Sequence, residues 1–88
     1  MISEEDKKII RKCAKKYNVS KIILFGSALE EDDPNDIDLG VKGVAPGLFF
    51  KFYGELYMRM PKPVDLVDLS YKSLFNDIVE ETGVVIYG

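Results

Sequence analysis

Apolar residues in the first segment of the chain recur with the period of an α-helix. One face of this helix would carry Ile9, Ile10, Cys13, Ala14 and Tyr17, with lysines on the other face. Ser3 precedes the periodic segment and Asp6 lies three residues later, an arrangement similar to a capping box. The pattern predicts a helix from about residue 3 to residue 17.

Short apolar runs alternate with longer amphipathic segments along the rest of the chain. The short runs predict four strands, at residues 21–25, 36–41, 64–67 and 84–87. Helices between these strands imply a small α/β (α+β) domain that takes in the whole of residues 1–88. We expect a mixed, twisted sheet with helices mainly on one face and the other face open.

Two further helices are predicted in the second half of the chain. The first is opened by Pro46 and stopped at Met60, and its aromatic stripe is wide enough that part of it is expected to pack on another chain. The second is capped by Asp68 or Ser70 and runs to about residue 81. Its inward face is expected to carry Leu74, Phe75, Ile78 and Val79.

Composition narrows the classes of protein. A chain of 88 residues buries a limited core, so an enzyme of this size is expected to borrow part of its substrate site from a partner or from a second copy in a homo-oligomer. The net charge of −3 argues against nucleic acid as the main ligand. The lysines of the first segment are interpreted as a solvated helix face.

Cysteine and histidine usage exclude several kinds of site. Cys13 is the only cysteine, so no internal disulfide can form, and neither a signal peptide nor a membrane-spanning run is present; a cytoplasmic protein is expected. There is no histidine, which excludes Ser-His-Asp and Cys-His catalysis and most zinc sites. A metal would therefore be held by oxygen, which favours Mg²⁺ or Mn²⁺.

Three features of the chain indicate a site that binds phosphate and a cation. First, the strand at 21–25 ends in Gly26-Ser27, where backbone N–H groups, a hydroxyl and a helix N-terminus can face a phosphate. Second, Asp36 and Asp38 are two residues apart on a strand and share one face, where their like charges repel unless a cation bridges them. A solvated strand edge is the plainer interpretation of this pair.

The third feature is an acid in a strand otherwise suited to burial, Val64-Asp65-Leu66-Val67. An isolated buried carboxylate is costly, and a metal shared with the other two aspartates would remove that cost. Asp68 competes for the role, but alternation places it on the opposite face or past the strand end. We interpret Asp68 as a cap or turn residue.

Together these segments resemble a known family. Phe25-Gly26-Ser27, Asp36-Ile37-Asp38-Leu39 and Val64-Asp65-Leu66-Val67 are similar to the Gly-Ser, Asp-x-Asp and third-Asp motifs of the DNA polymerase β-like nucleotidyltransferases. The resemblance is strongest to their minimal nucleotidyltransferase (MNT) branch, and residues 78–88 also look like the closing helix and strand of that branch. The implied fold is a twisted sheet with the site on its open face.

The resemblance also implies an activity and a role for each motif residue. Members move a nucleoside monophosphate, here AMP from ATP, to a hydroxyl with two Mg²⁺ ions, for which Mn²⁺ can substitute. Gly26 and Ser27 would bind the triphosphate, Asp36 and Asp38 would hold both metals, and Asp65 would hold the catalytic metal and receive or orient the proton of the attacking hydroxyl. All three aspartates are thus the expected catalytic residues.

Partners follow from the same resemblance. Many MNT proteins are antitoxins of HEPN-domain toxins, and some adenylylate a toxin tyrosine, so a HEPN/MNT toxin–antitoxin pair is expected. The alternatives are a catalytically silent module that neutralises a HEPN partner by contact, and an enzyme acting on a small molecule or an RNA end. Where the family often has basic residues after Gly-Ser, this chain has Ala28, Leu29 and Glu30. Lys42 and Lys62 are candidates to replace the missing cation.

Overall fold

A computed structural model describes residues 2–31 and 34–88, which form four helices, one 3-10 turn and four strands. In chain order the elements are α1 (Glu4–Lys16), β1 (Lys21–Phe25), α2 (Ser27–Glu30), β2 (Ile37–Lys42), the 3-10 turn Pro46–Leu48, α3 (Phe49–Arg59), β3 (Val64–Asp68), α4 (Leu74–Thr82) and β4 (Val84–Tyr87). The predicted order of elements is confirmed, with bounds that differ by a few residues.

The four strands form one mixed sheet in the order β3-β2-β1-β4. β1 lies between β2 and β4 and is antiparallel to both, whereas β2 and β3 run parallel. In the parallel pair Asp38 lies directly opposite Asp65. The mixed sheet expected from the sequence is therefore confirmed, and it brings two of the three candidate aspartates side by side.

The main core lies on one face of the sheet, under α1 and α3. Inward side chains of β1 and β2, among them Leu24 and Leu39, pack there with Phe52 and Leu56 of α3, and all four are fully buried. α1 begins as predicted, since the Ser3 hydroxyl accepts a hydrogen bond from the Asp6 backbone N–H at 3.1 Å. These two helices confirm the expectation that one face carries most of the helical cover.

The last helix, α4, lies on the other face and covers only part of it. Val79 of α4 packs there with Ile23 and Leu69, and the Leu69 side chain lies against Gly40. Gly40 is the next residue after Asp38 on this face of β2, because side chains alternate along a strand. The cover therefore stops one same-face position short of Asp38.

The inward face predicted for α4 is wrong in three of four positions. Only Val79 is buried, while Leu74, Phe75 and Ile78 are 77%, 53% and 49% exposed. The second inward position is taken by Asn76, whose amide donates to the backbone carbonyls of Asp68 at 3.1 Å and Tyr71 at 2.7 Å. Because Asn76 faces inward to donate to these loop carbonyls, the apolar side chains of α4 point outward.

The cap of α4 also differs from the prediction. The Ser73 hydroxyl, rather than Ser70 or Asp68, accepts the hydrogen bond from the Asn76 backbone N–H, at 3.0 Å. The helix therefore begins later than expected. None of the helices in the described ranges is long and apolar enough to cross a membrane.

Candidate active site

The Gly26 turn and the Asp38 carboxylate lie against each other on the partly open face. Gly26 has φ 69° and ψ −148°, a conformation that side-chain-bearing residues rarely adopt. A Cβ built on Gly26 would collide with the Asp38 side chain. Because Phe25 and Asp38 are opposite residues of the β1–β2 pair, the turn that follows β1 is placed directly beside this carboxylate.

The electrostatic surroundings of Asp38 oppose its ionisation. Partial burial raises the pKa of the Asp38 carboxyl above its ordinary value of 3.8, and the negative charges of Asp65 and then Asp36 raise it further. A hydrogen bond from the Ser27 backbone lowers it in part. The negative charges of Asp65 and Asp36 therefore repel ionised Asp38, and the hydrogen bond from Ser27 offsets only part of this repulsion.

The three aspartates do not occupy equivalent positions. Asp38 and Asp65 are opposite residues on neighbouring parallel strands, which are about 4.8 Å apart in sheets generally. Asp36 lies just before β2, which begins at Ile37, and its side chain is exposed. In the ranges 2–31 and 34–88, no three His, Cys, Asp or Glu side chains are already grouped as a metal-binding set.

The donors that are present nevertheless fit a hard divalent cation. Carboxylate oxygens are the ligands that Mg²⁺ and Mn²⁺ prefer, and a cation between Asp38 and Asp65 would offset the repulsion that, after burial, raises the pKa of Asp38. Asp38 and Asp65 would supply one oxygen ligand each, and Asp36 would supply a third from the segment entering β2. Gly26 brings no side chain into this group, and a Cβ at that position would collide with the Asp38 carboxylate.

Asp68 is separated from this group, as the sequence predicted. It is the last residue of β3, and its Oδ1 accepts a hydrogen bond from the Ser70 backbone N–H at 2.9 Å. Alternation along β3 places it on the opposite face from Asp65. The interpretation of Asp68 as a turn residue is confirmed.

Lys42 does not replace the missing cation near Gly26-Ser27. It lies four residues beyond Asp38 on the same strand, about 13 Å along it from the rise per residue. Its Nζ is 3.0 Å from Glu80 Oε1 of α4. That expectation is therefore wrong, because the strand carries Lys42 to the far end of the sheet.

A separate cavity of about 440 Å³ lies on the opposite side of the molecule, between α1 and α3. Its walls include Cys13, Lys16, Glu55 and Arg59. Glu55 accepts from Lys16 at 2.8 Å and from Arg59 at 3.1 Å, so the acid in this cavity is already neutralised by its neighbours. The carboxylates that repel one another, Asp38 and its neighbours Asp65 and Asp36, lie on the other side of the sheet.

A family model described as polymerase beta, nucleotidyltransferase, matches residues 7–88. The chain belongs to this nucleotidyltransferase family. No curated protein sequence gives a significant match. The match covers every motif residue of the site, from Gly26-Ser27 to Asp65.

Solved structures similar to this nucleotidyltransferase come from toxin–antitoxin complexes. One is a mutant MntA–HpeT complex, with 25% identity, a TM-score of 0.73, and coverage of 94% of this chain and 72% of that chain. A toxin–antitoxin complex with AMP-PNP has 24% identity, a TM-score of 0.74, and coverage of 93% and 73%. A tri-AMPylated HEPN toxin with its MNT antitoxin, from Shewanella oneidensis, has 24% identity, a TM-score of 0.76, and coverage of 99% and 73%.

These comparisons confirm the resemblance to the MNT branch and the nucleotidyltransferase fold. The sequence reasoning missed the aromatic border of the site in this nucleotidyltransferase. Phe25 lies on the same face as Asp38, and the Phe75 ring of α4 meets it edge-on with centroids 5.8 Å apart. Alternation along β1 places Phe25 on the face of the site and could have indicated this border. The border was missed because Phe75 was expected to face the core.

Proposed function

We propose that this nucleotidyltransferase moves a nucleoside monophosphate, AMP from ATP, to a hydroxyl group of a partner protein. The observation that carries the proposal is the register of the two parallel strands, which sets Asp38 opposite Asp65 beside the Gly26-Ser27 turn. Two carboxylates on adjacent strands next to a glycine turn suit a site for a triphosphate with its cations.

Each residue has a role in this proposal. Gly26 and Ser27 receive the triphosphate, since the glycine admits a phosphate close to the backbone. Asp36 and Asp38 would hold two Mg²⁺ ions, for which Mn²⁺ can substitute, and Asp65 would hold the catalytic one. When bound, these ions neutralise the triphosphate and stabilise the entering and leaving oxygens of an in-line displacement.

The reaction balances with Asp65 as the proton acceptor. The acceptor hydroxyl oxygen forms a bond to the α-phosphorus of ATP, and the bond from that phosphorus to the bridging oxygen breaks. Pyrophosphate leaves, and the hydroxyl proton passes to Asp65. Asp65 is exposed at the open part of the face, where an incoming side chain can reach it.

The structural neighbours support a protein acceptor. They include toxin–antitoxin complexes, one with AMP-PNP and one in which the HEPN toxin is tri-AMPylated. By analogy, we infer that the chain is the antitoxin of a HEPN/MNT pair and that the acceptor is a toxin tyrosine. Nucleic acid is not the main ligand in this proposal, because the site carries acids where a phosphate backbone requires cations.

A catalytically silent antitoxin is the second candidate. It is favoured by one observation, the sequence Ala28-Leu29-Glu30 after the Gly26-Ser27 turn, where relatives often have basic residues. Without a cation there, binding of the triphosphate depends on the metal ions and on the backbone. Such a protein would neutralise its HEPN partner by contact and transfer nothing.

Substitution of two aspartates of the same strand tests the proposal. The purified HEPN-domain protein encoded beside this chain is incubated with Mg²⁺, α-labelled ATP and each variant. Asp65→Asn is expected to reduce label on the partner by about 100-fold or more, as expected for loss of a group essential to proton transfer. Asp68→Asn is the matched control, since the asparagine side chain would keep an oxygen for the Ser70 N–H.

The outcomes separate the two candidates. Label that requires Asp65 but not Asp68 supports transfer to the partner. Tight binding of the partner with no label from the unaltered protein supports the silent antitoxin. Equal loss in both variants contradicts a specific role for Asp65.

A further inference from the structure

The outer side of α4 carries large apolar side chains that the fold does not cover. Together with the loop before the helix it forms what we call the α4 strip, in which the exposed fractions are 72% for Tyr71, 77% for Leu74, 53% for Phe75 and 49% for Ile78. A surface helix ordinarily presents polar residues outward. Here the inward positions are taken by Asn76 and Val79, so the apolar side chains of the strip stay largely uncovered by the described chain.

The α4 strip is continuous with the aspartate site. Phe75, at one edge of the strip, packs edge-on against Phe25, and Phe25 lies opposite Asp38 across β1 and β2. A partner seated on the strip would therefore extend over the carboxylates without crossing any part of the sheet that residues 2–31 and 34–88 cover. Contiguous apolar surface beside a polar site is typical of a protein-binding surface.

Charge restricts what can occupy this surface. Asp77 and Glu81 lie three residues after Leu74 and Ile78 respectively, so each carboxylate neighbours an apolar residue of the strip. The helix itself, Leu74–Thr82, contains no lysine or arginine, although Lys72 lies next to Tyr71 in the preceding loop. Beyond Phe25 the surface continues into the three site aspartates. The complementary partner has apolar side chains bordered by lysine or arginine.

The same charges argue against other occupants. A second copy seated strip to strip would bring two acidic borders together, and nucleic acid or an anionic membrane would meet carboxylates. A basic protein partner, in contrast, would also place cations near Ala28-Leu29-Glu30, a segment without basic residues.

We propose that the α4 strip is the docking surface for the protein acceptor, and that a partner with apolar anchors and a basic border seats there to bring its hydroxyl to Asp65. This inference rests on the proposed function and adds to it the surface that selects the acceptor. Binding on the strip and transfer at the aspartates are then separable properties of the chain.

Two double variants test the inference. Leu74→Ser with Ile78→Ser removes the centre of the strip, and Tyr57→Ser with Met58→Ser is the matched control on α3, the helix over the main core. The control side chains are 50% and 87% exposed, close to the 49% of Ile78 and the 77% of Leu74, so both variants remove similar amounts of apolar surface. Far-ultraviolet circular dichroism melts confirm that each variant is folded, since surface substitutions of this kind usually change stability by about 0.5 kcal/mol or less.

The probe is the purified HEPN-domain protein encoded beside this chain. Its affinity is measured by calorimetry without ATP or metal, and label transfer is measured over a range of partner concentrations. The strip variant is expected to bind about tenfold more weakly or worse, as for the loss of central apolar anchors, and to raise KM for the partner more than it lowers kcat. The control variant is expected to bind like the unaltered chain.

The results distinguish failure of this inference from failure of the proposed function. Unchanged affinity of the strip variant, or equal weakening in the control, overturns the docking surface. A dimer that the strip variant converts to a monomer in sedimentation also overturns it, because the occupant is then a second copy. Strip-dependent binding with no transfer by the unaltered chain overturns the proposed function and leaves the docking surface in place.

Discussion

Gly26 and Asp38 each depend on the identity of the other. The Asp38 carboxylate occupies space that a Cβ on residue 26 would fill. The positive φ of Gly26 places the turn next to this carboxylate. The sequence indicates a Gly-Ser turn after a strand and an Asp-x-Asp segment in another, but such turns and pairs are common separately. Their contact comes from the register of β1 with β2, a long-range property that local patterns do not contain.

Gly26→Ala is expected to lower both stability and activity. The methyl group would meet the Asp38 carboxylate, and φ 69° is strained for alanine, so the loss in the free energy of unfolding should be about 1–3 kcal/mol. Urea unfolding measures this loss. Gly54→Ala in α3 is the matched control, because nothing lies within 4 Å of its added Cβ, and helix propensity predicts a gain of up to about 1 kcal/mol. Equal effects at both positions would contradict the proposed contact.

The raised pKa of Asp38 makes a pH-dependent prediction for the metal-free protein. Because the folded state holds this proton more tightly than the unfolded state, the free energy of unfolding falls as the pH rises from about the ordinary value of 3.8 through the folded pKa. Asp38→Asn removes that loss. The variant should be more stable than the unaltered chain at pH 7 in EDTA, with the difference shrinking towards pH 4. An unaltered chain that is more stable than Asp38→Asn at pH 7 in EDTA would refute this prediction.

At the scale of elements, the helices that cover the main core were predictable and α4 was not. α1 and α3 bury a regular apolar stripe, so their periodicity indicates the right face. In α4, Leu74, Phe75 and Ile78 give the same signal, yet the buried positions are Asn76 and Val79. The periodicity of a sequence indicates that a helix is amphipathic, but not whether its apolar side meets the core or a partner.

Asn76→Ala tests whether this residue sets the position of α4. The substitution leaves the carbonyls of Asp68 and Tyr71 without their donor, and it is expected to lower the free energy of unfolding by about 1–3 kcal/mol. Urea unfolding provides the measurement, with Glu81→Gln on the exposed side of the same helix as a control within about 0.5 kcal/mol. A loss below that of the control would show that the loop retains its conformation without Asn76.

Across the whole molecule, the sheet separates two surfaces of different character. One face is closed over the core by α1 and α3, and the other leaves acids and aromatic residues accessible beside α4. The fold was predictable, because strand alternation and element order follow from the sequence, and so was the placement of Asp38 and Asp65 on one face; their role as a site stays a prediction. The position of Asp36 outside β2 and the exposed strip of α4 depend on tertiary packing, which a single sequence does not specify.

Metal binding at the aspartates should be visible in the stability of the entire domain. A cation that binds only the folded state at a hundredfold excess over its Kd adds about 2.7 kcal/mol, which for a chain of this size raises Tm on the order of 10 °C. Melting with and without millimolar Mn²⁺ measures the shift. Asp36→Asn with Asp38→Asn should abolish it and stabilise the metal-free protein, whereas Asp68→Asn should preserve it because Asp68 lies at the turn. If millimolar Mn²⁺ leaves the Tm of the unaltered chain unchanged, these carboxylates do not bind the ion.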